Sequence, residues 1–393
     1  MAKVVYLDNH ATTRCDPRVV EAMLPYLSEL YANPASTTHE PGRRVRSAVE
    51  NARSRVAACL GVADDEVVFT SGATEANNLA IWGTWRRQRE KRPHVVTSAI
   101  EHPSVLEAVR RVEREGGRIT ILPPDDRTSE LPGRIHPEQV AEALTPETGL
   151  VSIMAANNEI GTLQPIAQIG AVCREKGVLF HVDAVQAMST QTVSVGAWNA
   201  DLVSVSSHKI YGPKGVGALV VRRRRPRIRL EPLIVGGGHE RGLRSGTLNV
   251  PAIIGFAAAC DLLAAERESD VARVRRLRDR LYDGLKARVS DIHLNGPALD
   301  SPDRLPNNLN VMFSRVEGET LLLHCPSIAA SSGAACSSSK PEPSHVLTAI
   351  GLTEDEARCS VRFGLGRFNS DDDVTSAVEA VAEAVARLRQ SVS

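Results

Sequence analysis

Lys209 is the residue whose setting in this sequence best suits it for covalent chemistry. It closes the segment Ser206–Lys209, which follows the β-branched run 201–205 and precedes Gly212 and Gly215. Burial at the end of a strand disfavours the ammonium form, which lowers the pKa of a lysine and leaves a nucleophilic amine. Such an amine can form a Schiff base with an aldehyde. A solvated lysine on a strand flank is the alternative interpretation.

A second segment, Thr70–Glu75, lies between a predicted strand and a predicted helix. Its small residues (Thr-Ser-Gly-Ala-Thr-Glu) let the backbone approach an anion. The first turn of the helix would add free N–H groups and the positive end of its dipole. The segment is therefore a candidate phosphate site. A plain capping turn, with Ser71 or Thr74 as the N-cap, is the alternative.

Three further polar residues follow predicted strands in the same part of the chain. Asp183 ends the segment 180–183, and a buried acid is costly unless it is paired, for which a protonated ring nitrogen would serve. His102 could stack on a flat ring or move a proton. Asn157 offers an amide at another strand end. The alternative for Asp183 is a helix cap or a structural anchor. The alternative for His102 is a structural histidine, and that for Asn157 is a turn.

A phosphate, a flat ring and an aldehyde occur together in pyridoxal phosphate. In a parallel α/β sheet, ligands bind where the carboxyl ends of the strands meet. Asp183 and Lys209 are 26 residues apart, which fits consecutive strand ends in one sheet. Together these positions predict a pyridoxal-phosphate site.

Short apolar runs alternate with helical patterns, which predicts an α/β fold with a mainly parallel sheet. Seven strands are predicted at 66–70, 94–98, 118–122, 150–154, 178–182, 202–206 and 216–221, with helices at 74–88, 103–115, 137–144 and 166–176. A long helix over 252–287 precedes a smaller α+β part, with strands at 308–313 and 360–365 and a helix at 374–388. The predicted domains are a large one over 16–255 and a small one made of 1–15 and 256–393.

The bulk properties exclude several classes of protein. The 393 residues carry 47 basic and 47 acidic side chains, and 42% are hydrophobic. This balance predicts neither nucleic acid nor a membrane as a partner. The first residues lack a signal-peptide pattern, and no window approaches the ~18 apolar residues of a membrane span. Arg222–Arg225 form one basic cluster, either a solvated strand end or a docking patch for an acidic partner.

The seven cysteines are scattered and include no C-x-x-C pair. This argues against a disulfide framework or a metal site and predicts a reducing, cytoplasmic location. Cys336 stands apart because it lies in a run of small residues, 331–340, that is unlike a core segment. A thiol there suits a nucleophile that attacks in a pocket and carries sulfur out. An incidental exposed cysteine is the alternative.

The motifs of the chain, in order, resemble those of the cysteine desulfurases of the NifS/IscS group, a fold-type-I pyridoxal-phosphate family. They run nearly end to end: 6–13, 33–36, 70–75, 157–161, 181–186, 208–215, 236–247, 331–336 and 362–367. The resemblance implies a large domain with a mainly parallel seven-stranded sheet, a smaller α+β domain and a homodimer. It also implies that residues 328–342 form a catalytic cysteine loop of the long type, which donates sulfur to iron–sulfur scaffolds.

The same resemblance implies roles for individual residues. Lys209 would hold the cofactor and take the substrate Cα proton, His102 would move protons at the substrate thiol, and Cys336 would receive the sulfur. The expected cofactor ligands are Ala73, Thr74, His102, Asn157, Asp183 (pyridine nitrogen), Gln186 (phenolic oxygen), Ser206, His208, Lys209 and, from the other subunit, Thr247. Arg362 would bind the substrate carboxylate, because a bidentate guanidinium suits a planar carboxylate, with support from Asn33.

The implied activity is removal of sulfur from L-cysteine to give L-alanine and a persulfide on Cys336. The sulfur would pass to an acceptor protein such as an iron–sulfur scaffold or a thiolation carrier. The alternative on the same fold is a selenocysteine lyase or another class V aminotransferase-like enzyme. A non-catalytic binding scaffold would be expected to lack Lys209, Asp183 or Cys336, and the sequence retains all three.

Overall fold

A computed structural model describes residues 4–332, 334–335 and 342–390. The strands are β1 (Val5–Tyr6), β2 (Val67–Thr70), β3 (His94–Ser98), β4 (Arg118–Leu122), β5 (Thr148–Met154), β6 (Leu179–Asp183), β7 (Leu202–Ser206), β8 (Gly217–Val221), β9 (Ile292–Leu294), β10 (Asn308–Phe313), β11 (Ile328–Ala329), β12 (Ser331–Ser332), β13 (Ala334–Ala335), β14 (Glu342–Pro343) and β15 (Ser360–Gly364). The helices are α1 (Pro17–Met23), α2 (Pro25–Ser28), α3 (Glu40–Leu60), α4 (Ala73–Gln88), α5 (Pro103–Arg114), α6 (Pro137–Ala143), α7 (Ile166–Glu175), α8 (Val250–Arg288), α9 (Gly318–Leu323), α10 (His345–Ala349), α11 (Glu354–Arg358) and α12 (Asp371–Gln390).

The large sheet has seven strands in the order β2-β8-β7-β6-β5-β3-β4. Strands β4, β3, β5, β6 and β7 pair in parallel, whereas β8 runs antiparallel to both of its neighbours. Helices cover the sheet, so its central strands are apolar on both faces, and every residue of β5 is buried. The predicted α/β fold with a mainly parallel seven-stranded sheet is confirmed.

The strand order brings the predicted site residues to one edge. In the registers of the sheet, Met154 of β5 lies beside Asp183 of β6, and Asp183 lies beside Ser204 of β7. All three strands are parallel, so the residues that follow them emerge together. Lys209 follows β7 in a short 3₁₀ turn, Ser207–Lys209.

The smaller part is built on an antiparallel sheet in the order β12-β15-β10-β9. Its core joins residues of this sheet, such as Val311 and Phe363, to Leu281 of α8 and Val381 of α12. Helix α8 extends over 39 residues, and its first half packs into the core of the large sheet. The proposed domain boundary at residue 255 falls inside this continuous helix and stays a prediction.

The N-terminal segment connects the two parts. Strand β1 pairs in parallel with β11, and Asp8 forms a bridge with Gly364 at the end of β15. Further along, the Thr13 amide donates to the carbonyl of His208 at 3.0 Å. Residues 8–12 therefore cross from the small sheet to the carboxyl edge of the large one.

The basic cluster after β8 is largely paired with carboxylates. Arg222 lies 3.4 Å from Glu66 and Arg224 lies 2.6 Å from Asp201, while Arg223 contacts Asp65. These contacts agree with the interpretation of a strand end. Among the helices of the described ranges, none has the length and apolar character that crossing a bilayer would need.

Candidate active site

A cavity of about 810 Å³ opens at the carboxyl edge of the large sheet. One wall comes from the loops that follow β2, β3, β5, β6 and β7, another from residues 8–12, and a third from the small sheet and the residues around β12 and α10. Nine of the predicted site residues line it: Ala73, Thr74, His102, Asp183, Gln186, Ser206, His208, Lys209 and Arg362. These side chains come from segments far apart in the chain, so the fold itself assembles the site.

Lys209 reaches into the cavity from the turn after β7. Its Nζ donates to the carbonyl of Ala11 at 2.7 Å and also contacts the carbonyl of His10. Burial lowers the pKa of Lys209 to about 8, and the charge of Arg362 acts in the same direction, against the carboxylates of Asp8 and Asp183. The neutral, nucleophilic amine is therefore far more populated near neutral pH than in an ordinary lysine, whose pKa is 10.5.

Asp183 ends β6 as a buried carboxylate that is held by two donors. Its Oδ2 accepts from the side-chain amide of Asn77 at 2.8 Å, and its Oδ1 accepts from the backbone N–H of Val185 at 3.0 Å. These bonds fix the carboxylate against the cavity wall. A protonated ring nitrogen placed there would find a preformed anionic partner.

His102 is joined to that carboxylate through a short chain of hydrogen bonds. The amide of Asn77 also donates to Ser104 Oγ at 2.9 Å, and this oxygen lies 2.8 Å from His102 Nδ1. The backbone N–H of Ser104 donates to the same Nδ1 at 3.1 Å, so Nδ1 is an acceptor and the ring proton is on Nε2. Desolvation lowers the pKa of His102, which keeps the ring neutral.

The segment before α4 forms a cup for an anion. Helix α4 begins at Ala73 after Gly72, whose φ of 153° suits only glycine, and no side chain caps this end of the helix. A Cβ at Gly217 would come within 2.9 Å of Gly72 Cα. The absence of side chains at both glycines therefore leaves the backbone accessible to a ligand. The uncapped amides, with Ser206 and His208 beside them, suit a phosphate group. Capping by Ser71 or Thr74 is not what the structure shows.

Arg362 brings a guanidinium from β15 to the opposite wall. Its Nη2 lies 3.0 Å from Asp8 Oδ1 and 2.9 Å from Ser331 Oγ, and its Nη1 donates to the carbonyl of Asn158 at 3.3 Å. Its Nε is buried and has no hydrogen-bond partner within the described ranges. A donor therefore remains for a carboxylate ligand.

Two predicted cofactor ligands and one predicted substrate ligand lie away from the cavity lining. The Asn157 side chain is fully buried, donates to the Ile100 carbonyl at 2.9 Å and accepts from Glu159 N–H at 2.8 Å, so it stabilises a turn. Thr247 and Asn33 are exposed on the surface. Their roles, like those of the nine lining residues, stay predictions. Cys336 lies outside the described residues.

Two further buried residues at the site have no role in the sequence-based predictions. Asn77 is fully buried under Asp183, and a buried asparagine on a helix is the only local sign of its importance. Glu101 is also fully buried, accepting from Ser98 Oγ at 2.7 Å and from Met154 N–H at 2.9 Å. Burial raises the pKa of Glu101 to about 8. The carboxyl is therefore largely protonated at neutral pH.

The cavity suits pyridoxal phosphate. The uncapped helix and its glycine pair suit the phosphate, the fixed carboxylate of Asp183 suits the ring nitrogen, and the amine of Lys209 suits the aldehyde. Among the described residues, no cluster of three or more His, Cys, Asp and Glu side chains is placed to hold a metal ion. Each functional group of the predicted cofactor thus has a matching protein group in the cavity.

Comparisons with known proteins agree with this chemistry. The aminotransferase class-V family model matches residues 5–376. The cysteine desulfurase IscS of Anaeromyxobacter dehalogenans is 49% identical over 386 residues, covering 98% of this chain and 93% of that protein. A solved NifS-like protein superposes with a TM-score of 0.89 at 35% identity, covering 98% of this chain and 100% of that one.

A structure titled "SspA in complex with cysteine" superposes with a TM-score of 0.79 at 36% identity, covering 93% of this chain and 99% of that one. The sequence similarity extends over nearly the whole chain, so it includes the cavity and the elements that build it. The chain therefore belongs to the aminotransferase class-V family of pyridoxal-phosphate enzymes and, within it, to the cysteine desulfurases of the NifS/IscS group.

Proposed function

We propose that this cysteine desulfurase transfers the sulfur of L-cysteine to Cys336 and passes it on to an acceptor protein. In the balanced step, the Cβ–S bond of cysteine breaks and an S–S bond to the Cys336 sulfur forms. The electron pair of the broken bond stays on Cβ, which gains a proton and becomes the methyl group of L-alanine. The products are alanine and a persulfide, and no external oxidant or reductant takes part.

The residues that flank Cys336 in the sequence support this proposal. Ser332 and Ser344 both line the cavity that contains Lys209 and Arg362. Ser344 Oγ contacts the carboxylate of Glu159 at the cavity wall. Cys336 is four positions after Ser332 in the sequence, and four extended residues span at most about 14 Å. This tether favours Cys336 as the thiol that serves the cavity.

When bound, pyridoxal phosphate supplies an electron sink for the bonds that break at the substrate. Lys209 would hold the cofactor covalently and, once displaced by substrate, take the Cα proton as a neutral amine. Asp183 would keep the ring nitrogen protonated, with Asn77 fixing the carboxylate. The lowered pKa of Lys209 and the 2.8 Å bond from Asn77 to Asp183 support these roles.

The phosphate would be bound by the uncapped start of α4 together with neighbouring side chains. These ligands are Ala73, Thr74, Ser206, His208 and, from a second copy of the chain, Thr247. Thr247 lies outside its own cavity, which is the arrangement that a shared site requires. Arg244, three residues earlier, pairs with Glu75 beside the phosphate cup at 3.0 Å, so this loop lies close to the site edge.

Arg362 would bind the carboxylate of L-cysteine, with Asn33 in a supporting position. The unpartnered Nε of Arg362 supports a carboxylate ligand. His102 would move protons at the substrate thiol, because its neutral ring carries a proton on Nε2 and lines the cavity. The cysteine complex of the SspA relative supports the same substrate here.

We also propose a cytoplasmic homodimer. Thr247 is exposed and lies outside the cavity of its own chain, so its predicted role at the phosphate needs a second copy of the chain. A mixture of Thr247→Val and Lys209→Ala subunits tests the sharing of the site. Each hybrid dimer should have one site with normal cofactor affinity. That site combines Lys209 of the Thr247→Val subunit with Thr247 of the Lys209→Ala subunit. Failure to regain it would contradict a shared site.

The test of the function is alanine formation from L-cysteine with an added thiol acceptor. Wild type and Cys15→Ser, a half-buried cysteine control, should both form alanine and sulfide. Lys209→Ala and Cys336→Ser should lose at least 100-fold in rate. Full sulfide release by Cys336→Ser would replace the persulfide route with direct elimination. A strong preference for selenocysteine would favour the lyase alternative.

A further inference from the structure

His10 is a buried histidine of the N-terminal segment that lines the cavity and is not among the predicted site residues. Its Nδ1 lies 2.9 Å from Oε1 of Gln186, which is 176 residues later in the chain. In return, Nε2 of Gln186 donates to the backbone carbonyl of His10 at 3.0 Å. The two residues therefore form a closed, two-bond pair.

The pair fixes the position of every hydrogen in it. A backbone carbonyl can only accept, so the Gln186 atom that faces it must be the amide nitrogen. The other amide atom is then the oxygen, and it needs a donor from His10. Nδ1 of His10 therefore carries the proton. Burial lowers the pKa of His10 to about 3, and the charge of Arg362 adds to this, so the ring stays neutral with that single proton.

One N–H of Gln186 is left over, because its amide nitrogen has two hydrogens and the carbonyl of His10 takes one. Gln186 lines the cavity, so this remaining donor is available to a bound ligand. The ring of His10 is itself held by close packing. A Cβ added to Gly364 would lie 2.8 Å from His10 Cδ2, which shows how tightly β15 abuts the imidazole.

We propose that His10 is a positioning residue that holds the Gln186 amide with its free N–H directed at the phenolic oxygen of the cofactor. This rests on the proposed role of Gln186. A hydrogen bond to that oxygen stabilises negative charge on it. The nitrogen that joins Lys209 to the cofactor then binds its own proton less tightly. His10 thus acts on the cofactor through Gln186, without a contact of its own.

The substitution series separates the hydrogen bond from the shape of the side chain. Asparagine places an amide nitrogen the same number of bonds from Cα as Nδ1, so His10→Asn keeps a donor. His10→Leu and His10→Ala remove it, with the alanine variant available if the leucine variant does not fold. Arg362, Asp8 and Asp183, the charged groups that face Lys209, stay unchanged throughout.

The measurement is the pH midpoint of the visible absorption change of the holoenzyme, with cofactor affinity as a second readout. His10→Leu and Gln186→Leu should each raise the midpoint by about half to one pH unit, the equivalent of one hydrogen bond. The double variant should shift no further than Gln186→Leu, and His10→Asn should stay near wild type.

An unchanged midpoint in His10→Leu and His10→Ala would overturn the inference. Shifts that add fully in the double variant would do the same, because they would mean that His10 does not act through Gln186. Absence of a visible band in cofactor-supplied wild type would be a different failure. It would count against the cofactor role of Lys209 rather than against His10 alone.

Discussion

The side-chain amide of Asn77 donates a hydrogen bond of 2.8 Å to Asp183 and a second one of 2.9 Å to Ser104, whose hydroxyl contacts His102. One buried amide thus orients both the carboxylate expected behind the cofactor ring and the histidine expected over it. His102 lies after β3, just before α5, whereas Asp183 is the last residue of β6. Asn77 fixes their relative positions from α4.

Replacing Asn77 by leucine should weaken catalysis through Asp183 without removing any group that contacts substrate. Loss of a hydrogen bond to a charged group costs about 1.5–3 kcal/mol, which corresponds to about a 10–100-fold fall in kcat/KM. Cofactor affinity should fall in parallel. Steady-state kinetics and a cofactor titration measure both. Asn78→Leu is the matched control, since among the described residues the side-chain amide of Asn78 donates to the Thr74 carbonyl of its own helix. Equal effects of the two substitutions would contradict the role of Asn77.

Capture of pyridoxal phosphate by the apoprotein should depend on the pH around the pKa of Lys209. Only the neutral amine reacts, so the rate should rise with pH and reach half its limit near pH 8 rather than near the ordinary lysine value of 10.5. Arg362→Gln removes a positive charge that lowers this pKa, so the midpoint should move upward. Stopped-flow absorbance follows the reaction. A midpoint that stays near 10.5 in the wild type would exclude a desolvated lysine.

Glu101 should make the apoprotein less stable as the pH rises. Its pKa is about 8 in the folded state against 4.5 for the free group, so unfolding between these values releases a proton. Over that window the free energy of unfolding should fall by at most about 1.4 kcal/mol per pH unit from this group. Glu101→Gln cannot ionise, so its stability relative to wild type should increase from pH 5 to pH 8. Urea denaturation at several pH values tests this, and parallel curves for the two proteins would contradict it.

Arg362→Lys should impair substrate binding more than turnover. Lysine keeps the charge but loses the planar fork, and with it the remaining donors of a side chain already bonded to Asp8 and Ser331. The KM for L-cysteine should rise about 10–100-fold, as expected for a lost charge-assisted hydrogen bond. Arg315→Lys, an exposed position, serves as the control. An unchanged KM would show that another residue binds the carboxylate.

The sequence predicts the large sheet well because each of its strands is an apolar run with a turn or loop at both ends. From β2 to β8 the observed bounds differ from the predicted ones by at most two residues, and those of β3, β4 and β7 are identical to them. The positions of Asp183 and Lys209 follow from the same pattern, since parallel strands place their carboxyl ends together. The catalytic edge could therefore be inferred before any coordinates.

Other features depend on contacts that no local pattern records. Helix α3 is absent from the sequence predictions, and its buried face includes Arg53, which pairs at 2.7 Å with Glu240 far along the chain. The bond from Asn77 to Asp183 spans 106 residues. Such pairs are set by how helices and loops pack around the sheet, so only the three-dimensional structure reveals them.

Sulfur transfer to Cys336 is tested most directly by a single turnover. Stoichiometric L-cysteine is mixed with holoenzyme without a reductant, alanine is counted, and the cysteine peptides are examined by mass spectrometry. One extra sulfur atom on the Cys336 peptide for each alanine formed is the predicted result, with Cys15 and Cys359 unmodified. Alanine formed in equal amount by Cys336→Ser, or extra sulfur on another cysteine, would contradict it.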